Sequence, residues 1–205
     1  MPNGRHNTEP RRPGRPARGE TLPDRERVLD AAEVAIRREG STVSLDAIAR
    51  EAGITKPVVY ARVGGRAEMA NALAERLTTR LIKAGASSMR GKPFGRDLIA
   101  SFVVANLRTI REHAELFLYV TGGASDDAPF RSIYLARLSV APMSQFLTQA
   151  RDGQGRDSGV ADSWAWAIIG MLNFISLRLV SDEVIDIEVV AEQVASLLWS
   201  GLSDA

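Results

Sequence analysis

Apolar side chains recur every three or four residues along most of this chain, so the pattern predicts helices. No convincing alternating strand, hairpin turn or internal repeat is present in it. Val28, Leu29, Ala32, Ala35 and Ile36 follow one face of a helix that starts at about Asp24 and stops at Gly40. Leu45, Ile48, Ala49 and Ala52 repeat the spacing in a second, two-turn helix. Ser44 is a good N-cap for it, and Asp46 suits the positive end of the helix dipole. Gly53 supplies the left-handed residue that ends it. Thr55 caps a third helix, where Pro57 is tolerated because first-turn amides have no intrahelical acceptor. This helix ends near Val63, before Gly64-Gly65, and a fourth runs from about Arg66 to Ala84. Beyond Lys92 the spacing predicts helices over about 95–111, 113–121, 129–151, 159–181 and 186–202. Pro142 predicts a kink or break in the third of these.

Composition narrows the class. A chain of 205 residues holds one large domain or two small ones. The absence of cysteine excludes a disulfide scaffold and fits a reducing, cytoplasmic setting. Residues 1–20 are rich in Arg, Pro and Gly, too polar to pack, and lack the apolar core of a secretory signal. The apolar stretch from Ala165 to Leu179 is interrupted by Gly170, Asn173, Ser176 and Arg178, so it reads as a buried helix rather than a membrane span. The small net charge of +1 hides an asymmetry. Residues 1–92 carry 18 basic against 11 acidic side chains, and residues 93–205 carry 8 against 14. A basic first part suggests a polyanionic partner, the alternative being ordinary scatter of solvated charge.

Two short helices joined through Gly53-Ile54 form the sequence picture of a helix-turn-helix, whose second helix enters the DNA major groove. The run from Val43 to Arg66, with its Ala-x-x-Ala-Gly step and Tyr60 in the following helix, resembles the signature of the TetR family. The resemblance covers about residues 24–75. Val63 departs from the aromatic usual at its position, and Gly64-Gly65 and Ala67 replace a more polar loop and helix start. It implies an all-α protein of three parts: a disordered arm over 1–20, a helix-turn-helix domain over 21–66, and a helical effector-binding and dimerisation domain over 67–205. It also implies a homodimer that binds double-stranded operator DNA and answers to a small-molecule effector, with no membrane partner.

Roles follow residue by residue. Ser44 and Thr55 join hydroxyls to free helix-start amides, which suits both capping and phosphate binding. The resemblance sets Tyr60 against a phosphate and turns Lys56 and Arg62 toward the groove, where either can donate to guanine. Val58 suits a thymine methyl, and Arg66 a phosphate. Gly14-Arg15-Pro16 resembles a minor-groove arm that would insert Arg15, the alternative being a nonspecific basic tail.

The later helices are apolar over more than one face and should form a bundle. The resemblance implies that the last two pair with their copies, through Trp164, Ile168, Met171, Ile175, Val190, Val194, Leu197 and Leu198. Phe102, Asn106, Phe117, Tyr134, Leu138, Trp166 and Asn173 combine apolar bulk with a few polar groups, as an effector pocket requires, or are plain core. No Ser-His-acid set, phosphate loop or metal-binding His spacing is present, so the residues favour a regulator over an enzyme and imply no cofactor and no metal.

Overall fold

The computed structural model describes residues 24–122, 128–181 and 184–203, so the arm and Arg15 lie outside the described residues. The described residues are all-α, with helices α1 (Arg25–Glu39), α2 (Leu45–Glu51), α3 (Lys56–Arg62), α4 (Arg66–Met89), α5 (Arg96–Glu112), α6 (Ala114–Thr121), α7 (Ala128–Asp152), α8 (Ala161–Ser181) and α9 (Ile187–Ser203).

The expected start and stop chemistry is visible at the first helices. The Asp24 carboxylate accepts from the Arg27 amide at 2.9 Å. Gly40 takes a left-handed φ of 86° and donates its amide to the Ile36 carbonyl. The Ser44 hydroxyl accepts from the Ala47 amide at 3.2 Å. Val28, Leu29, Ala32, Ala35 and Ile36 are all buried. They pack α1 against α2, α3 and α4.

Helix α4 reaches Met89, more than a turn past its expected end. Gly85 costs helix stability in isolation, but here it admits the Phe102 ring. A Cβ on Gly85 would lie 2.8 Å from Phe102 Cε2. At about 36 Å long, α4 touches α1 near one end and α5, α6 and α7 along the rest. Arg76 bonds to Glu26 and Asp30, and Arg80 places one guanidinium nitrogen 2.8 and 2.7 Å from the two Glu33 oxygens. These pairs hold α1 on α4 from the outside.

His113 sits at the α5–α6 junction beside this network. Burial holds its pKa below the usual 6.5, with Arg80 and Arg37 reinforcing the effect and Glu33 and Glu112 opposing it. The unfolded chain therefore takes up a proton first as pH falls, and stability declines below 6.5 toward the lower folded value. Urea titrations at about pH 7.5 and about pH 5.5 read the effect, and His113→Gln should lose less stability across that interval than the unaltered chain. Equal losses would remove His113 as the cause.

In the remaining helices α5 is central, packing on α4, α8 and α9, while α7 packs along α8. Of the kink or break expected at Pro142, the break does not occur, and α7 continues through it as one helix. Pro142 is exposed, so solvent can serve the carbonyl that its missing N–H leaves without a helical donor. Arg151 at the end of α7 is buried and stacks 4.5 Å above the Trp164 ring, tying α7 to α8. Helix α8 is long and apolar enough to cross a membrane by length and composition. In this fold Ala165, Ile168, Ile169, Leu172 and Leu179 are buried and α8 packs on α7 and α5.

Candidate functional site

Helix α3 presents most of its surface outward. Val59 is its fully buried residue, and α3 rests on α1 and α2. Tyr60 is 50% exposed and Arg62 lies on the exposed side. Among the described residues Arg62 has no ion pair or side-chain hydrogen bond. Thr55 takes the extended N-cap conformation, but its hydroxyl makes no capping bond and is left for another partner. Ser44 is exposed at the start of α2. Val58 is half-buried, a short apolar contact beside polar neighbours. Lys56 Nζ lies 2.8 Å from Asp46 Oδ2, and that bond raises the lysine pKa. One of the three Lys56 ammonium donors is thus engaged by Asp46.

Arg66 also makes contacts within the fold. Its guanidinium donates to the Val43 carbonyl at 2.8 Å and the Ser41 carbonyl at 3.1 Å, and it lies 4.9 Å over the Tyr119 ring. A helix-opening arginine is placed for a phosphate by position, and here loop carbonyls and an aromatic face engage part of its guanidinium while the residue stays exposed. The Ser41 amide in turn donates to Glu115 at 2.8 Å. Arg66 and Glu115 therefore join the loop before α2 to α6, linking the three-helix head to the bundle.

The bundle encloses a chamber of about 200 Å³ between α4, α5 and α7, with Ile82, Ala86 and Pro142 at its surface side. Two smaller chambers of about 30 Å³ each share its walls. One, toward Phe94, Leu98 and Leu198, is wholly apolar. The other holds Asn106, Ser139, Asn173 and Ser176 among apolar neighbours.

Of the expected pocket residues, Phe102, Asn106, Phe117 and Asn173 line these chambers. Tyr134, Leu138 and Trp166 do not. Tyr134 donates its hydroxyl to Glu75 of α4 at 3.2 Å, Leu138 packs on the core, and Trp166 faces outward on α8. Ser139, Met143, Phe146 and Ile169 complete the lining. Their phase on α7 and α8 was ambiguous because both helices carry apolar residues on several sides.

The expected dimer contacts differ in exposure within the protomer. Ile168 and Leu198 line the apolar chamber, Val194 is buried, and Trp164 packs under Arg151. Met171, Ile175 and Val190 are half-buried against the core. Of that set only Leu197 is strongly exposed, at 66%. The outward apolar side chains are instead Trp166 and Phe174 on α8 and Val189 and Leu197 on α9. Each pair is spaced by eight residues, so it shares one face of its helix. Gly170, midway between Trp166 and Phe174, has open space where a Cβ would sit.

A three-helix head with an outward third helix, joined by one long helix to a helical bundle, is a fold that this chain shares with solved structures of TetR family regulators. No family model matches the chain. It is 27% identical over 209 aligned positions to the helix-turn-helix-type transcriptional activator FasR of Mycolicibacterium smegmatis, covering 95% of this chain and 91% of that one. The fold is similar to FadR of Bacillus subtilis, solved in complex with stearoyl-CoA, with a TM-score of 0.66 at 17% identity over 86% of this chain and 98% of that one. It is also similar to the TetR family repressor AlkX of a Dietzia strain, implicated in n-alkane biodegradation, with a TM-score of 0.61 at 16% identity over 91% and 99% of the two chains.

Proposed function

We propose that this protein is a TetR-type transcriptional regulator that binds a palindromic operator as a homodimer and releases it when a mostly apolar effector fills the bundle. The observation that carries this reading is α3, anchored by Val59 while Tyr60 and Arg62 stand outward at the edge of the molecule. Arg62 suits guanine O6 and N7, Val58 a thymine methyl, and Tyr60, Thr55 and Ser44 the phosphates. One such helix reads only a few base pairs, so a two-fold pair is needed to read a palindrome. The exposed apolar side chains Trp166 and Phe174 on α8 and Val189 and Leu197 on α9 are the candidates for that pairing, since burial against a partner would remove them from water. The reading head spans residues 21–66 and the effector-binding and dimerisation part 67–205. Such a regulator works in the cytoplasm.

Release follows from the linkage. An occupant of the chamber touches α4 at Leu81, Ala86 and Met89, and α4 carries the reading head. An effector that favours the non-binding arrangement by about 10²-fold, roughly 2.7 kcal/mol, suffices to free the DNA. FasR is described as an activator and AlkX as a repressor, and repression is the sign proposed here. Footprinting on the promoter region of the protein's own gene tests the whole. The expected result is two protected half-sites about one helical turn apart, overlapping the promoter. Weak binding that ignores sequence would defeat the proposal.

A further inference from the structure

The acidic side chains of the three-helix head divide by the helix that holds their partners. Glu26, Asp30 and Glu33 of α1 pair with Arg76 and Arg80 of α4. Glu39 and Glu51 pair with Arg38 of α1. Among the described residues, Asp46 is the acid of the head that pairs with α3. Its Oδ2 lies 2.8 Å from Nζ of Lys56, the first residue of that helix. The Lys56 and Asp46 side chains are 42% and 61% exposed, so the pair stays open to a further partner. Tyr60, one turn along the same side of α3, is exposed as well.

Phosphates repel a carboxylate on a surface that meets DNA. Against a base edge that offers a donor, the same carboxylate is an acceptor. The pair matches the edge of a guanine–cytosine pair. One of the three Lys56 donors is spent on Asp46, which leaves two, and the carboxylate keeps acceptor sites open. In the major groove guanine presents N7 and O6 as acceptors, and cytosine presents N4 as a donor. O6 and N4 are bonded to each other, so they stand about 2.7–3.2 Å apart. Nζ and Oδ2 are 2.8 Å apart, so the two protein atoms can face the two base atoms one to one. The free Lys56 donors then meet O6 and N7, and Asp46 meets N4. An adenine–thymine pair fits less well. Adenine N7 lies beyond its N6 donor and would face the carboxylate as a second acceptor, and the thymine methyl would leave one Lys56 donor without a partner.

We propose that Asp46 and Lys56 act as one reading unit that selects a guanine–cytosine pair in each half-site, with Asp46 accepting from cytosine N4. The salt bridge stays intact on DNA. This rests on the regulator reading above and adds Asp46 to its specificity-determining residues. Asp46 also suits the start of α2 by its charge and ties α2 to α3. Those roles act on stability and would weaken all sequences alike, so base preference separates them from reading.

The test is selection of binding sites from a random double-stranded DNA library by the full chain at fixed salt, repeated with Asp46→Ala and Lys56→Ala. The unaltered chain should prefer one guanine–cytosine pair in each half-site by about 5- to 150-fold, the range of a bidentate base contact. Both variants should lose that preference at the same position and keep the rest of the site. With the unaltered chain, methylating cytosine N4 at that pair should weaken binding by at least about fivefold, because it blocks the donor that Asp46 takes. Preferences lost at two different positions, or an Asp46→Ala site identical to the original, overturn the proposal. If the variants fail to fold, N4-methylation of each selected cytosine in turn decides the matter, and no effect at any of them overturns it. A library from which nothing is enriched would remove the regulator reading and this one with it. An enriched site indifferent to Asp46 and to cytosine N4 removes this one alone.

Discussion

Replacing Tyr60 and Arg62 together with alanine should abolish operator binding and leave the fold intact. Both side chains stand outside the core, so their loss opens no cavity and the melting temperature should hardly move. A bidentate arginine–guanine contact is worth about 1–3 kcal/mol, and a dimer makes it twice. The loss at the Arg62 positions alone is then roughly 2–6 kcal/mol, or about 30-fold to more than 10⁴-fold in affinity. Tyr60 adds a phosphate contact that weakens all sequences alike. Fluorescence anisotropy at fixed salt measures the effect, and an unchanged dissociation constant would remove α3 as the reading helix. Lys56→Ala should do less, because Asp46 already engages one of its three donors.

Phe174→Asp combined with Leu197→Asp should separate the homodimer into monomers that no longer hold the operator. Phe174 is 76% and Leu197 66% exposed in the protomer, so charges there are solvated in the monomer and leave its core undisturbed. In a paired bundle the same carboxylates would be buried against their copies without partners. Well-packed interface anchors are worth at least about 2 kcal/mol each, and buried unpaired charge costs more, so two of each per dimer amount to a loss above about 10³-fold. Analytical ultracentrifugation reads the assembly and a gel shift reads the DNA. A variant that sediments as a dimer would show that pairing uses another face. Ile168→Asp and Val194→Asp, by contrast, should unfold the protomer, since both side chains are buried within it.

The reading head was legible because its signals are local. An N-cap oxygen, a glycine at positive φ and apolar residues at helical spacing each act within a turn or two. Asp24, Ser44 and Gly40 do in the fold what their positions imply. Arg66 shows the limit of such reasoning. Position places it at a helix start, but only the fold shows that the Ser41 and Val43 carbonyls and the Tyr119 ring, distant in sequence, engage two of its donors and its face.

The bundle was legible in its helices and much less in its faces. Helices α7 and α8 carry apolar residues almost all round, so periodicity leaves their rotation open. A shift of two residues turns a helix by about 200°. That is the difference between Ile168, which lines a chamber, and Trp166, which faces out. Phe102 and Asn106 on α5 do line a chamber.

The order of the helices and most of their ends, with the far end of α4 as the exception, were thus settled by the chain itself, because short-range hydrogen bonding and spacing determine them. The rotation of α7 and α8 and the contacts of Arg66 were settled only by packing. Each depends on which side chains from remote segments arrive first at a shared surface, and no local pattern records that competition.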